Sequence, residues 1–193
     1  VIALLDVDYR KSNAVAAAVV FRDWGDEDLV LEGTTTIDSV EDYQPGRFYE
    51  RELPCLLAIW ERLELNSATK ERRVGVSVRN EDDRRSGRAL PRIHTVIVDG
   101  HVWLDEAKSP GLGAHLWDAL ENRVCVVGVA KGAFRGVSGT IEVQRGASNS
   151  PLYVSAAGMD PLNAAHHVEA MVGQYRIPTL LRRVDQLSRG IEP

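Results

Sequence analysis

The first 37 residues contain three apolar runs of strand length, IALLDVDYR, AVAAAVVF at 14–21 and DLVLEGTTTI at 28–37, with the turn-forming DWGDED between the second and third. Such runs, bounded by Asp and Gly clusters and following one another this closely, predict an antiparallel meander. From about Tyr49 the period changes. Leu53, Leu56, Leu57, Trp60 and Leu63/Leu65 recur at helical spacing and predict an amphipathic helix of about four turns, with Pro54 compatible only with its first turn.

The stretch NSATKERRVGVSVRNEDDRRSGRALPR at 66–92 is polar, with room for a short strand at Val74–Val78, and reads as a solvated, basic insertion in a single 1–193 domain. HTVIVDG at 94–100 is a buried-strand run. GLGAHLWDALEN follows as a helix over about 114–121, and VCVVGVAK at 124–131 is apolar enough to lie in the middle of a sheet covered on both faces. A Gly/Ser-rich passage leads to the strand SPLYVSAAG, and Asp160 and Pro161 then open a helix as N-cap and first residue. The basic segment YRIPTLLRRVDQLSR closes the domain. A meander followed by strands alternating with helices predicts an α/β fold with a mixed sheet flanked by helices.

With 193 residues the chain has the size of one ordinary domain that needs no metal or disulfide staple to fold. Cys55 and Cys125 lie in apolar contexts and read as buried free thiols of a reducing compartment. No apolar run approaches the roughly 18 residues of a membrane span and no signal peptide pattern opens the chain, so the default address is the cytoplasm. The chain starts inside a strand, which leaves room for a segment before it. The net charge of −5 argues against coating nucleic acid by bulk electrostatics. The charge is uneven, however: Lys70–Arg92 carries eight basic residues against four acidic ones, and Arg176–Arg189 is a second concentration of positive charge.

Three carboxylates fall among apolar residues, where an unpaired charge is costly. Asp6 ends the run IALL, and Asp8 shares its strand face. Glu52 lies on the helical stripe of Leu56 and Trp60. Asp99 closes TVIVDG at the carboxyl end of a strand, where open α/β sheets place ligands. Oxygen-only sites suit Mg²⁺ or Mn²⁺ and phosphate chemistry. Strand-end capping by Asp6 and Asp99, with Glu52 paired to Arg51 or Arg47, is the competing reading of the same spacing. Lys131 follows VVGVA directly, so its ammonium emerges at the edge of Asp99 if their strands are neighbours, as a point charge for a phosphate oxygen.

The set DVDYR at 6–10, YQPGRFYERELPCLLAIWE at 43–61, TVIVDGH at 95–101, LGAHL at 112–116, VVGVAK at 126–131, SPLYVSAAG at 150–158 and YRIPTLLRRVDQLSR at 175–189 resembles the endonuclease V family in the same order. The resemblance implies a ribonuclease H-like fold and a Mg²⁺-dependent endonuclease, with Mn²⁺ substituting, that cuts DNA at the second phosphodiester 3′ to deoxyinosine and leaves 3′-hydroxyl and 5′-phosphate ends. It implies Asp6, Glu52 and Asp99 as metal-binding carboxylates and Lys131 as the phosphate contact. Tyr43 would be the wedge beside an unstacked base, with Pro45 following it, and Gly46 and Gly113 would line the base pocket, where glycine permits close backbone approach. Gly111 and Gly113 serve equally well to start a helix.

The chain departs from the family in three places. Asp42 and Gln44 replace the first proline and the isoleucine of the wedge. The segment WLDEAKSPG, with Lys108 its one basic residue, replaces a His-Pro-Arg. Gly158-Met159 stands for a Gly-His pair, and methionine is neither a proton carrier nor a hard-metal ligand, which leaves Asp160, His166 or His167 as substitutes. The expected partner is deoxyinosine-containing DNA, with no membrane and the protein acting as a monomer. The alternatives are an inosine-specific endoribonuclease and a catalytically impaired nucleic-acid binding protein of the same fold.

Overall fold

The computed structural model describes residues 1–40, 47–68, 76–78, 91–133 and 139–191. Among them, eight strands form one sheet: β1 (Ile2–Tyr9), β2 (Ala14–Phe21), β3 (Leu29–Ile37), β4 (Val76–Val78), β5 (Thr95–Val98), β6 (Cys125–Ala130), β7 (Ile141–Val143) and β8 (Leu152–Ala157), in the order β4-β3-β2-β1-β5-β6-β8-β7. The β1–β3 meander is antiparallel, as its turns require. β1, β5 and β6 run parallel, and β8 returns antiparallel to β6. β6 is thus interior to the sheet, as its unbroken apolar run implied.

Among the described residues, four helices cover the sheet: α1 (Phe48–Ala68) and α2 (Leu112–Ala119) on one face, α3 (Pro161–Ala170) and α4 (Thr179–Ser188) on the other. The period-two alternation of the strands divides the core accordingly. Ala3, Leu5, Ala16 and Ala18 meet Leu56, Ile59 and Leu63 of α1, whereas Ile2, Leu4, Val19 and Phe21 meet Leu180, Leu181 and Val184 of α4. The small side chains of β2 let both layers approach closely. Burying each large aliphatic side chain in these clusters contributes about 1.5–3 kcal/mol.

Four expectations are corrected here. α1 has 21 residues and continues through Asn66–Ala68, into the stretch read as insertion, because nothing between Pro54 and Ala68 breaks a helix. Pro54 lies one turn inside rather than in the first turn; it is exposed, so the Glu50 carbonyl that it deprives of a helical donor can bond water. The Gly/Ser-rich passage before β8 contains β7, too short to show a period. α2 starts at Leu112, two residues earlier than the periodicity suggested, and the strand expected at Val74–Val78 is β4. Apart from β4 and the residues at its two ends, the basic stretch lies outside the described residues, so its electrostatic role is untested. Cys55 is buried and Cys125 half-buried, and both are free thiols. Among the described residues, no helix is long and apolar enough to cross a membrane.

Two arginines, Arg145 buried and Arg183 partly so, fix the helices of the second face. Arg183 of α4 bonds both carboxylate oxygens of Glu32 on β3 at 2.9 Å. Arg145 donates to the carbonyls of Val168, Glu169, Met171 and Gly173, satisfying acceptors left open at the C-terminus of α3.

Candidate active site

Register brings the carboxylates together. Leu5 of β1 pairs with Val98 of β5 at the end of their parallel ladder, so Asp6, inside β1, and Asp99, just past β5, each follow directly on neighbouring strands. β6 lies on the other side of β5, and Lys131 emerges from its end to place Nζ 2.6 Å from Asp99 Oδ2. Glu52 reaches the same place from the first turns of α1. All four line one cavity of about 390 Å³ together with Asp8, Tyr9, Phe48 and Asp185.

Each acid has a positioning contact. Glu52 is 6% exposed and accepts a 2.7 Å hydrogen bond from the Tyr9 hydroxyl. The alternation of β1 explains the pairing: Tyr9 faces α1, whereas Asp6 faces α4 and accepts from Ser188 Oγ at 2.6 Å. The arginines proposed as partners of Glu52 bond elsewhere, Arg47 with Glu50 at 3.2 Å and Arg51 over the Tyr9 ring at 3.8 Å. Burial pushes Glu52 up to about 8, with the Tyr9 bond opposing and the Asp6 and Asp99 charges adding. Burial likewise raises Asp6, against the Ser188 bond. For Lys131, burial alone would favour the neutral amine, but Asp99 outweighs it and holds the ammonium above its ordinary range. Arg176 fixes this lysine's main chain by donating to the Lys131 and Pro151 carbonyls.

Asp185 and Ser188 escaped the sequence reading. They belong to the stripe Leu181-Val184-Asp185-Ser188 of α4, polar positions on the buried side of an amphipathic helix, which is the signal that had identified Glu52 on α1. The Gly158-Met159 expectation is corrected by register. Ala157 pairs with Val126 at the start of β6, about 16 Å from Lys131 at strand rise, and Met159 lies two residues farther on, at the end of the sheet opposite Lys131. Asp160 there caps α3 through the Asn163 amide at 3.0 Å. His167 stacks on Trp24, and His166 is exposed on the same helix. None of the three serves the carboxylate cavity; the further acid there is Asp185.

Gly113 is buried within α2, and a Cβ on it would stand 2.7 Å from Val102 Cγ2, so its lack of a side chain is used in packing the helix against the 101–103 segment. Lys108 lies over Trp103, its Nζ 5.8 Å from the ring centroid. Tyr43, Pro45 and Gly46 lie outside the described residues.

The donors are all hard oxygens, as a Mg²⁺ or Mn²⁺ site requires, and a cation there would offset both the burial that raises Asp6 and Glu52 and the smaller contribution of the neighbouring acids. Among the described residues, no three acidic, histidine or cysteine side chains are already drawn together around a common point. They are instead held by Ser188, Tyr9 and Lys131.

No protein-family model matches the chain. The chain is 27% identical to endonuclease V of Streptomyces coelicolor, in an alignment covering 96% of this chain and 76% of that protein. Among solved structures, endonuclease V of Streptomyces avermitilis is 25% identical with a TM-score of 0.66, covering 98% of this chain and 79% of that one. A Ciona intestinalis endonuclease V variant, bound to a 23mer DNA containing an inosine followed by a ribo-adenosine, has a TM-score of 0.70 at 19% identity, over 98% and 83% of the two chains. Over nearly its whole length this chain is similar in sequence and in fold to these endonucleases V.

Proposed function

We propose that the protein is a DNA repair endonuclease, dependent on Mg²⁺ or Mn²⁺, that hydrolyses a phosphodiester bond 3′ to deoxyinosine and leaves 3′-hydroxyl and 5′-phosphate ends. The observation that carries this reading is the meeting of Asp6, Glu52 and Asp99 with Lys131 in one cavity at the carboxyl ends of the parallel strands. The chemistry of the relatives, and the inosine-containing DNA bound by the Ciona protein, supply the substrate class.

Asp6, Glu52 and Asp99 would hold the metal, with Asp185 beside them. A bound Mg²⁺ supplies Lewis-acid stabilisation of the phosphate and acidifies water. The chain's own contribution is placement. Ser188 and Tyr9 fix one oxygen each of Asp6 and Glu52, leaving the second oxygen of each carboxylate to face the cavity chemistry. Lys131, tethered by Arg176, provides a positive charge for a non-bridging phosphate oxygen, where charge increases as the bond breaks. Tyr43, Pro45 and Gly46 would hold the displaced base, whereas Gly113, expected beside them, is buried against Val102 and bonded to the His101 carbonyl. Glutamine at position 44 fills an unstacked gap less well than isoleucine, so discrimination rests chiefly on Tyr43.

The test is cleavage of matched single-stranded oligonucleotides carrying deoxyinosine, deoxyadenosine or riboinosine, with Mg²⁺ or Mn²⁺ at fixed salt. Cutting of the deoxyinosine strand that disappears in Asp99→Ala supports the proposal. Preferential cutting of the riboinosine strand would move the substrate to RNA. Binding without cutting in either metal would leave a nucleic-acid binding protein of this fold.

A further inference from the structure

We infer that the side of the site covered by α4 is a second nucleotide subsite, in which Arg182 and Tyr175 hold the strand just 3′ to the cleaved bond; this rests on the nuclease reading above. The carboxylates lie where two cavities join. One is the 390 Å³ space that runs to Phe48 and Glu52 on the α1 side. The other, of about 230 Å³, shares Asp6, Asp99, Lys131 and Asp185 but runs the opposite way, to Ile177, Leu181 and Arg182. A phosphodiester held at the carboxylates carries a nucleotide on each side, so a strand passing through needs both arms. The proposed function puts the altered base with residues that precede α1 in sequence, and Phe48, the first residue of α1, lines the larger cavity, so the altered base is assigned to the α1 arm. A cut 3′ to that base then sends the remaining strand along the α4 arm.

The chemistry of that arm suits a nucleotide. Of the arginines in the closing segment, Arg176 is engaged by two carbonyls, Arg183 by Glu32 and Arg189 by Asp185. Arg182 is exposed at the cavity mouth, its guanidinium 5.2 Å from the centroid of the Tyr175 ring. Tyr175 is itself 54% exposed, and Ile177 and Leu181 form an apolar wall of the cavity that Arg182 lines. A guanidinium stacked on an aromatic ring offers a flat platform for a base or ribose and a bidentate fork for phosphate, the combination used to grip single strands without reading sequence. The concentration of basic residues therefore acts through one arginine rather than as a general positive track.

The experiment compares kcat/KM for deoxyinosine strands that carry one to five nucleotides beyond the cleaved bond on the 3′ side, and the same extensions on the 5′ side. Wild type should gain with 3′ length. Arg182→Ala and Tyr175→Ala should lose about 5- to 100-fold on long 3′ strands and little on the shortest. Tyr175→Phe should keep the gain, and Arg182→Ala should make the dependence of log KM on log salt shallower by about 0.7. Equal losses at every length, or losses that follow the 5′ extension, would overturn the subsite and leave the nuclease intact. If wild type cuts none of the strands, the nuclease reading fails and the subsite with it. Both side chains are exposed, so unchanged melting temperatures separate lost contact from lost fold.

Discussion

The Lys131 ammonium lies 2.6 Å from Asp99, an ion pair linking the ends of two neighbouring parallel strands at the point where the other acids converge. The same lysine thus offsets acidic charge and presents a cation to an incoming phosphate. Lys131→Ala should lower kcat by roughly 10²–10³ fold, the scale for removing one preorganised stabiliser of developing charge. Arginine should rescue little, because its fork is longer and planar. Single-turnover cleavage measures both, and an alanine variant within a few fold of wild type would remove Lys131 from the chemistry.

Ser188 is fully buried and bonds Asp6 at 2.6 Å, so it orients a carboxylate expected to bind metal. Ser188→Ala should weaken Mg²⁺ binding by about 10–100-fold, as found when the outer partner of a metal ligand is lost. Its cost in stability should be near the ~1 kcal/mol of an ordinary hydrogen bond. Isothermal titration with Mg²⁺ separates the two, and unchanged affinity would reduce Ser188 to packing.

Much of this site was legible because burial and charge conflict in the sequence. Asp6 and Asp99 each end an apolar run, Glu52 interrupts an apolar stripe, and Lys131 terminates a strand that reads as interior. Asp185 and Ser188 carry the same conflict in a helix, but the basic residues around them made α4 read as a charged surface. Arg183 in fact turns inward to Glu32. Met159 misled for another reason: motif order along a chain does not say which end of a strand it occupies. Only the antiparallel register of β8 on β6 places it away from the carboxylates. The strand pattern gave the meander and the central β6, while β7 has three residues and no period to read.

The buried Arg183–Glu32 pair ties α4 to β3 and so carries Asp185 and Ser188 into position. Arg183→Ala removes the guanidinium that bonds both oxygens of the buried Glu32, which should cost about 1.5–3 kcal/mol in urea unfolding. Replacing both residues together, Arg183→Met with Glu32→Gln, should cost less than the single change. A double variant no more stable than Arg183→Ala would mean that helix packing, not the pair, fixes α4.

Metal-free protein should become less stable as pH rises. The Glu52 pKa is raised on folding to about 8, chiefly by burial, so the folded state binds a proton that the unfolded chain has already released. That stabilisation is complete below the ordinary carboxylate range, near 4.5, and is lost as pH rises through about 8. Glu52→Gln, which can still accept from Tyr9, should flatten this slope and raise the metal-free melting temperature at pH 8. Adding Mg²⁺ should restore wild type and leave the variant nearly unchanged, because a ligand stabilises only the state that binds it. Melting curves in chelator and in Mg²⁺ between pH 5 and 8.5 test this. A wild-type slope equal to that of Glu52→Gln would place the proton uptake elsewhere, and an equal Mg²⁺ response would remove Glu52 from the metal site.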